Sequence, residues 1–391
     1  MKLLQVIHSA DPLRGGVSAG VSLSSEFMVK AGHEVTHVTV DDPAAVADIQ
    51  LPGDFIAVGP GKSGYGYCPA LDDWLANHLS QFDAAIVNGV WQYPSFAVWR
   101  QARKLGASAP PYFVFTHGMM DPWFKRTYPL KHFKKWLYWP WAEYRVLRDA
   151  RAVLFTCEEE KILARQSFWL YRAREQVVGY GTQLPDYSTD EMNDAWHKLC
   201  PAKQGQPYLL YLGRLHEKKG ADLLVKAYCE LKKNGQCMPD LILAGPEQDA
   251  SFTNQLRQLA ASDPHIHFAG MITGAAKWGA LAHAEAMVLP SHQENFGIVV
   301  AEALAMGTPA LISNKVNIWR EVEQSGAGIV TNDDLDGVRS LLQQFLSLSP
   351  EEKSQMKRSA KLCFAEYFLM EKNTNDLLAF IQQELATANE R

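Results

Sequence analysis

The feature that most limits how this chain can fold is an alternation. Short apolar runs of strand-forming residues recur along it, separated by longer stretches. In the first half the runs are LLQVIHS, EVTHVTV, AAIVNGV, YFVFTHG and AVLFTCE; in the second they are YLLYLGR, DLILAGP, HIHFAG, AMVLPS and PALIS. Helical patterns lie between many of them, such as GADLLVKAYCELKKNG, which ends in a glycine suited to a helix C-terminus. This alternation predicts an α/β fold with parallel sheets and helices on both faces. Two sets of about five strands on a chain of 391 residues predict two such domains.

Several breakers and no strand pattern in GTQLPDYSTDEMNDAWHKLCPAKQGQPY put the boundary between Gly181 and Pro207. The expected division is residues 1–185, then 186–368, then an amphipathic helix over 369–391. A hydrophobic share of 47% and a charged share of 21% fit a soluble globular protein. The net charge of -5 gives no pull toward nucleic acid, and none is expected as a partner. MKLLQVIHSADP reads as a first strand and not as a signal peptide. No stretch approaches the roughly 20 apolar residues of a spanning helix. Six cysteines without C-x-x-C spacing are expected to be reduced thiols in the cytosol. The twelve histidines show no metal spacing, and the D-x-D at Asp334 to Asp336 lies in a polar segment with no strand before it, so no metal is expected.

Ligands of open α/β sheets bind at the carboxyl ends of strands, so the residues just past each run carry the functional signal. After the first comes HSADPLRGGVSAG, where Gly15 and Gly16 let backbone approach an anion ahead of a helix N-terminus. The dinucleotide fingerprint G-x-G-x-x-G is missing. GPGKSGYG, residues 59–66, is read as a surface loop because Ile56 stands where a phosphate loop needs its first glycine. In YLLYLGRLHEKKGADLL a strand ends at Gly213, and Arg214, Lys218 and Lys219 precede a helix. Two readings stand: a solvated basic turn, or an anion site made by charge and dipole.

In LPSHQENFGIVVAEALAMGTPALIS a strand, a loop, a helix ended by Gly307 and another strand follow in turn. Glu294 falls just before the helix and Glu302 inside it. Were both helical, they would stand about 12 Å apart along the axis and about 80° around it. That exceeds the ~5–9.5 Å carboxylate pair of a glycosidase. Either both are solvated, or they meet the two ends of an extended polar ligand whose negative middle faces the N–H groups of Gly297 and Ile298.

RGGV, THGMMDPW, GRLHEKKGADLL, AGPEQD and PSHQENFGIVVAEALAMGTPALIS with its E-x(7)-E together resemble the retaining glycosyltransferases of family 4, over essentially the whole chain. The resemblance implies the GT-B fold: two Rossmann-like domains facing across a cleft, with the final helix crossing back to the first. It implies a nucleotide-sugar donor, UDP-sugar favoured and GDP-sugar the alternative, held mainly by the second domain. By position, Arg214 and Lys219 would grip the diphosphate, Glu302 the ribose, and Glu294 the transferred sugar. Asn295, Phe296 and Gly297 would offer main-chain groups to that sugar, and Ile298 and Val299 would face the phosphates. Gly15 and Gly16 would approach the diphosphate, His117 would reach the sugar, and Gly245, Met271 and Ile272 would flank the base. The implied chemistry is front-face hexosyl transfer without a metal or a protein nucleophile. Many relatives carry Asn-Gly-Val/Ile-Asp where this chain has GYGTQLPDY, so that turn inherits no role.

In DPWFKRTYPLKHFKKWLYWPWAEYRVLR, residues 121–148, basic residues interleave with aromatic ones. Such a tract can lie on an anionic membrane, or its aromatics can pack the core while its lysines are solvated. The first reading expects a lipid-linked saccharide acceptor at the inner membrane face, as in exopolysaccharide, capsule or lipopolysaccharide O-antigen assembly, and a cytoplasmic, peripheral protein. The competing functions are a catalytically silent sugar-nucleotide-binding subunit and a sugar-nucleotide epimerase.

Overall fold

The computed structural model describes residues 1–12, 16–200, 205–261 and 263–389. The chain divides into two compact units, one of Met1–Tyr180 with Met370–Arg391 and one of Gly181–Leu369.

Unit 1 is built on β1 (Lys2–Ile7), β2 (Glu34–Thr39), β3 (Asp54–Ala57), β4 (Ala84–Asn88), β5 (Tyr112–Phe115), β6 (Ala152–Phe155) and β7 (Glu175–Val177). They form one sheet in the order β3-β2-β1-β4-β5-β6-β7. Unit 2 carries β8 (Tyr208–Leu212), β9 (Asp240–Ala244), β10 (Ile266–Gly270), β11 (Ala286–Leu289), β12 (Ala310–Ser313) and β13 (Gly328–Thr331), in the order β10-β9-β8-β11-β12-β13. Every pairing within both sheets is parallel.

All the apolar runs of the sequence form strands. The central ones, β4, β8, β11 and β12, are buried at every position, as expected where helices cover both faces. Three strands escaped the sequence reading: β3, β7 and β13. All three are edge strands of three or four residues, and none has a fully buried position. Half-exposed edges need no apolar run, so they leave no pattern. β13 also corrects the expectation that no strand precedes the D-x-D. Those aspartates serve the next helix, Leu335–Ser347. The Asp334 carboxylate accepts from Gly337 N at 2.7 Å as its cap, and Asp336 pairs with Arg339 at 2.5 Å.

The helix Met370–Asn389 belongs to unit 1. Its Leu377, Leu378 and Ile381 join Leu3, Ile86, Phe113 and Leu154 in one apolar cluster. Farther along it the buried Glu384 accepts from Arg151 Nε at 2.7 Å and from Arg174 Nη1 at 2.6 Å.

Candidate active site

In each sheet the strand order reverses beside the first strand of the unit, between β1 and β4 in unit 1 and between β8 and β11 in unit 2. Such reversal points are where open α/β sheets take their ligands, past the carboxyl ends of the strands. In unit 2 that place is made by the loops that follow β8 and β11.

The chain after β8 runs through Gly213 and Arg214 into a single turn, Glu217–Lys219, and then the helix Ala221–Lys233. Gly220 joins them with φ +68°, and a Cβ there would lie 2.1 Å from the Pro290 carbonyl. Only glycine allows this approach. It brings the loop after β11 against the turn after β8, and polar contacts fix it there. Lys218 O accepts from His292 N at 2.9 Å and from the Ser291 hydroxyl at 3.1 Å. On the other side, Glu294 N donates to Lys315 O at 2.9 Å, and Asn317 N donates to Glu294 O at 3.1 Å.

These contacts place Lys219 directly on Glu294 as an ion pair. Lys219 is buried, with 9% of its surface exposed. Burial, with Arg214 and then Lys218 adding repulsion, pulls its ammonium down to about 7, while the touching Glu294 carboxylate works the other way. Arg214 is exposed and donates through Nη1 to Gln248 Oε1 at 3.0 Å, across from the loop after β9.

The helix Ile298–Ala305 begins beside this pair. Its N-cap is Gly297, at φ +73°, and no side chain caps it, so its first N–H groups are open to a ligand. Ile298 is exposed and Phe296 is buried. Glu302 stands one turn inside this helix, buried, and accepts from Lys277 Nζ at 2.6 Å. The two carboxylates are thus neither solvated nor orphaned: each meets a lysine from another part of the chain. Together the loops present two lysines, an arginine, two carboxylates and a helix N-terminus, suited to an anion flanked by hydroxyl groups.

The remaining expected site residues fall less evenly. Asn295 accepts from Asn317 Nδ2 at 3.4 Å, and Val299 lies in the first turn of the helix. Met271 is exposed just past β10, whereas Ile272 beside it is buried. Gly245 has a packing reason of its own, because a Cβ there would stand 1.9 Å from the Gly213 carbonyl. Gly15 lies outside the described residues. Gly16 opens the helix Gly16–Lys30, with empty space where a side chain would project.

His117, in unit 1, follows β5 at φ +46°, a rare conformation for a residue with a Cβ. It is held there from both sides. The buried Glu160 carboxylate accepts from the Thr116 hydroxyl and from Gly118 N, both at 2.6 Å, and from Thr156 N at 2.8 Å. The imidazole stacks on Phe115 and shares a hydrogen bond with Asn88 Oδ1 at 3.2 Å. Burial pulls it down to about 4, so it is neutral near pH 7. Glu160, Lys277 and Gln248 are contributions that the sequence did not announce.

The basic-aromatic tract divides between its two readings. Trp139 is fully buried and stacks on Phe168 at 4.4 Å between centroids. The helix Pro129–Tyr138 has no buried residue, and Leu130, Phe133, Trp136 and Leu137 on it are exposed, as are Trp141 and Trp169.

Two family descriptions match the chain back to back: a glycosyl transferase 4-like domain over residues 15–181, and glycosyl transferases group 1 over residues 193–362. The chain belongs to the family 4 type, GT-B glycosyltransferases. It is 28% identical over 255 residues to an alpha-D-kanosaminyltransferase of Streptomyces kanamyceticus, the match covering 63% of each chain. It is 30% identical over 216 residues to a D-inositol 3-phosphate glycosyltransferase of Nocardia farcinica, covering 51% of this chain and 47% of that one. The match thus spans about half to three fifths of the length of these curated relatives. Among solved structures, a sucrose-phosphate synthase from Thermosynechococcus elongatus aligns with TM-score 0.77 at 18% identity over 99% of both chains. HepE of Anabaena, in complex with UDP and glucose, aligns with TM-score 0.71 at 15% identity over 98% of this chain and 100% of that one. At these identities the structural likeness shows the GT-B fold.

Proposed function

We propose that this glycosyltransferase-family chain is a retaining hexosyltransferase that draws its sugar from a nucleoside-diphosphate sugar, with UDP-sugar favoured over GDP-sugar. The observation that carries the reading is the meeting of Lys219 and Glu294 at the reversal point of unit 2, beside the uncapped N-terminus of the helix Ile298–Ala305. When the donor binds, Lys219 turns from Glu294 to a phosphate oxygen and is joined by Arg214. Glu294 then accepts from hydroxyls of the transferred sugar, and Glu302 from those of the ribose. The bond from the anomeric carbon to the diphosphate breaks as the acceptor oxygen bonds that carbon on the same face. The acceptor proton passes to the departing phosphate oxygen, and the two cations stabilise its charge. No protein nucleophile and no metal enters this scheme.

The acceptor in this reading is a lipid-linked saccharide of cell-surface polysaccharide synthesis, met at the inner face of the membrane. Leu130, Phe133, Trp136 and Leu137 give the helix Pro129–Tyr138 an exposed apolar face, and the exposed Lys131 and Lys134 give it charge complementary to anionic lipid. No described helix is long and apolar enough to cross a membrane. The protein is expected to float with phosphatidylglycerol vesicles and to stay behind with phosphatidylcholine; no flotation with either counts against membrane contact.

The catalytic reading is tested by an NMR time course with UDP-, GDP- and ADP-sugars and no acceptor. Slow release of one sugar with its matching nucleoside diphosphate is expected. Conversion of the donor to an epimer replaces transfer by epimerisation.

A further inference from the structure

Unit 1 holds a pocket that the donor reading leaves unused. It lies past the carboxyl ends of β4 and β5, and its walls include Trp91, Phe124, Tyr128, Lys131, His132 and Lys135. The Lys135 ammonium sits 4.7 Å from the centre of the Trp91 ring and 5.4 Å from that of Phe124, and Lys131 sits 4.8 Å from that of Tyr128. His132 stacks on Phe168 at 4.7 Å. Among the described residues, no carboxylate stands within ion-pair distance of either lysine. Asp121 also lines the pocket, its carboxylate accepting from Trp123 N at 2.7 Å.

Two lysines and a histidine thus line the pocket against the one carboxylate of Asp121. Glu143 is the acid that acts on Lys135 from behind, but it is fully buried; its Oε1 accepts from Trp91 N at 2.9 Å and from the Ser95 hydroxyl at 3.2 Å, while its Oε2 has no hydrogen-bond partner among the described residues. Burial pushes Glu143 up to about 7, which weakens it as a counter-charge. Burial likewise pulls Lys135 down, and it pulls His132 down together with Lys125 and Lys135. An anion between these groups would offset the cost to Lys135 and His132 by favouring their charged forms. The wall is also strained. Trp91 has φ +70° and is pinned by Glu143 at its N–H and by Met119 O on its indole N–H at 2.9 Å. Strain held this firmly clusters where a side chain must face a ligand.

We propose that this pocket binds a phosphoryl group of the acceptor, its oxygens meeting Lys131, Lys135 and His132 and its organic portion lying on the rings of Tyr128 and Phe124. The inference rests on the transferase reading. A lipid phosphate and a soluble sugar phosphate share the recognised chemistry.

The test is an NMR titration of the whole protein with geranyl phosphate and, separately, with glucose 6-phosphate. At least one is expected to bind, and Lys135→Met to weaken it by about tenfold or more, as loss of a charged hydrogen-bonding partner does. Lys131→Gln is the second variant should Lys135→Met melt early. The Arg214→Ala, Lys219→Ala double variant is expected to retain the binding. Binding of geranyl phosphate alone assigns the lipid source, and of glucose 6-phosphate alone the soluble one. The proposal is overturned if neither binds the wild type, if both lysine variants bind like wild type, or if the double variant loses the binding. Donor turnover by the wild type is scored separately, so failure of the transferase reading is told from failure of this one.

Discussion

Lys219 is where the demands on the site concentrate. A buried ammonium is costly unless a charge compensates it, and Glu294 supplies that charge. If the diphosphate takes over that role, Arg214→Ala or Lys219→Ala should each lower turnover on the order of 10²–10³-fold, as loss of a transition-state donor does. Rates near wild type in both would remove these residues from the mechanism. The pH dependence has a definite sign. Burial and the neighbouring cations pull this lysine below its ordinary range, so affinity of the free protein for nucleoside diphosphate should fall as pH rises through that lowered value. Glu294→Gln removes the attraction that keeps the ammonium charged and should move this fall to lower pH; an unmoved profile would mean that Lys219 is not the titrating group. Lys219 and Glu294 stood out in the sequence because they lie beside glycines just past strand ends, and Glu302 as the second glutamate of the E-x(7)-E spacing. Lys277 was not. It lies inside the helix Gly274–His283 without a local signature, and only folding brings it to Glu302, 25 residues away.

At the level of elements, the central strands were legible because burial on both faces demands continuous apolar runs. The edges β3, β7 and β13 carry no such demand and stayed hidden, as did the capping role of Asp334 once β13 was missed. What shapes the site is the contact between two loops, and Gly220 permits it. Gly220→Ala must hold a left-handed residue, at about 1–2 kcal/mol, and must also move the Pro290 carbonyl away. Urea unfolding should show unit 2 destabilised by at least that amount, with nucleotide binding weakened as the turn that carries Lys219 shifts away from the loop after β11. Unchanged stability would mean that the loop adapts without cost. Glu160 has the corresponding role in unit 1, where its hydrogen bonds to Thr116 and Gly118 keep His117 in its unusual conformation.

Over the whole molecule, the chain leaves unit 1 at Tyr180 and re-enters it at Met370, so a unit that begins at the first residue is completed near the last. The amphipathic pattern of the final helix was readable, but the groups that hold it, Arg151 and Arg174, lie more than two hundred residues earlier. Glu384→Ala leaves both arginines without their shared acceptor. Because the arginines are partly exposed, the expected loss is about 1–3 kcal/mol of unit 1 stability, read from thermal unfolding. The proposed function requires unit 2 to carry a nucleoside-diphosphate site organised by Lys219 and Glu294. Calorimetric titration with UDP, GDP and ADP, in the wild type and in Lys219→Ala, tests it most directly. Binding of one of them, lost or weakened by tenfold or more in the variant, is the expected result. Binding of none, or equal binding by both proteins, would contradict it.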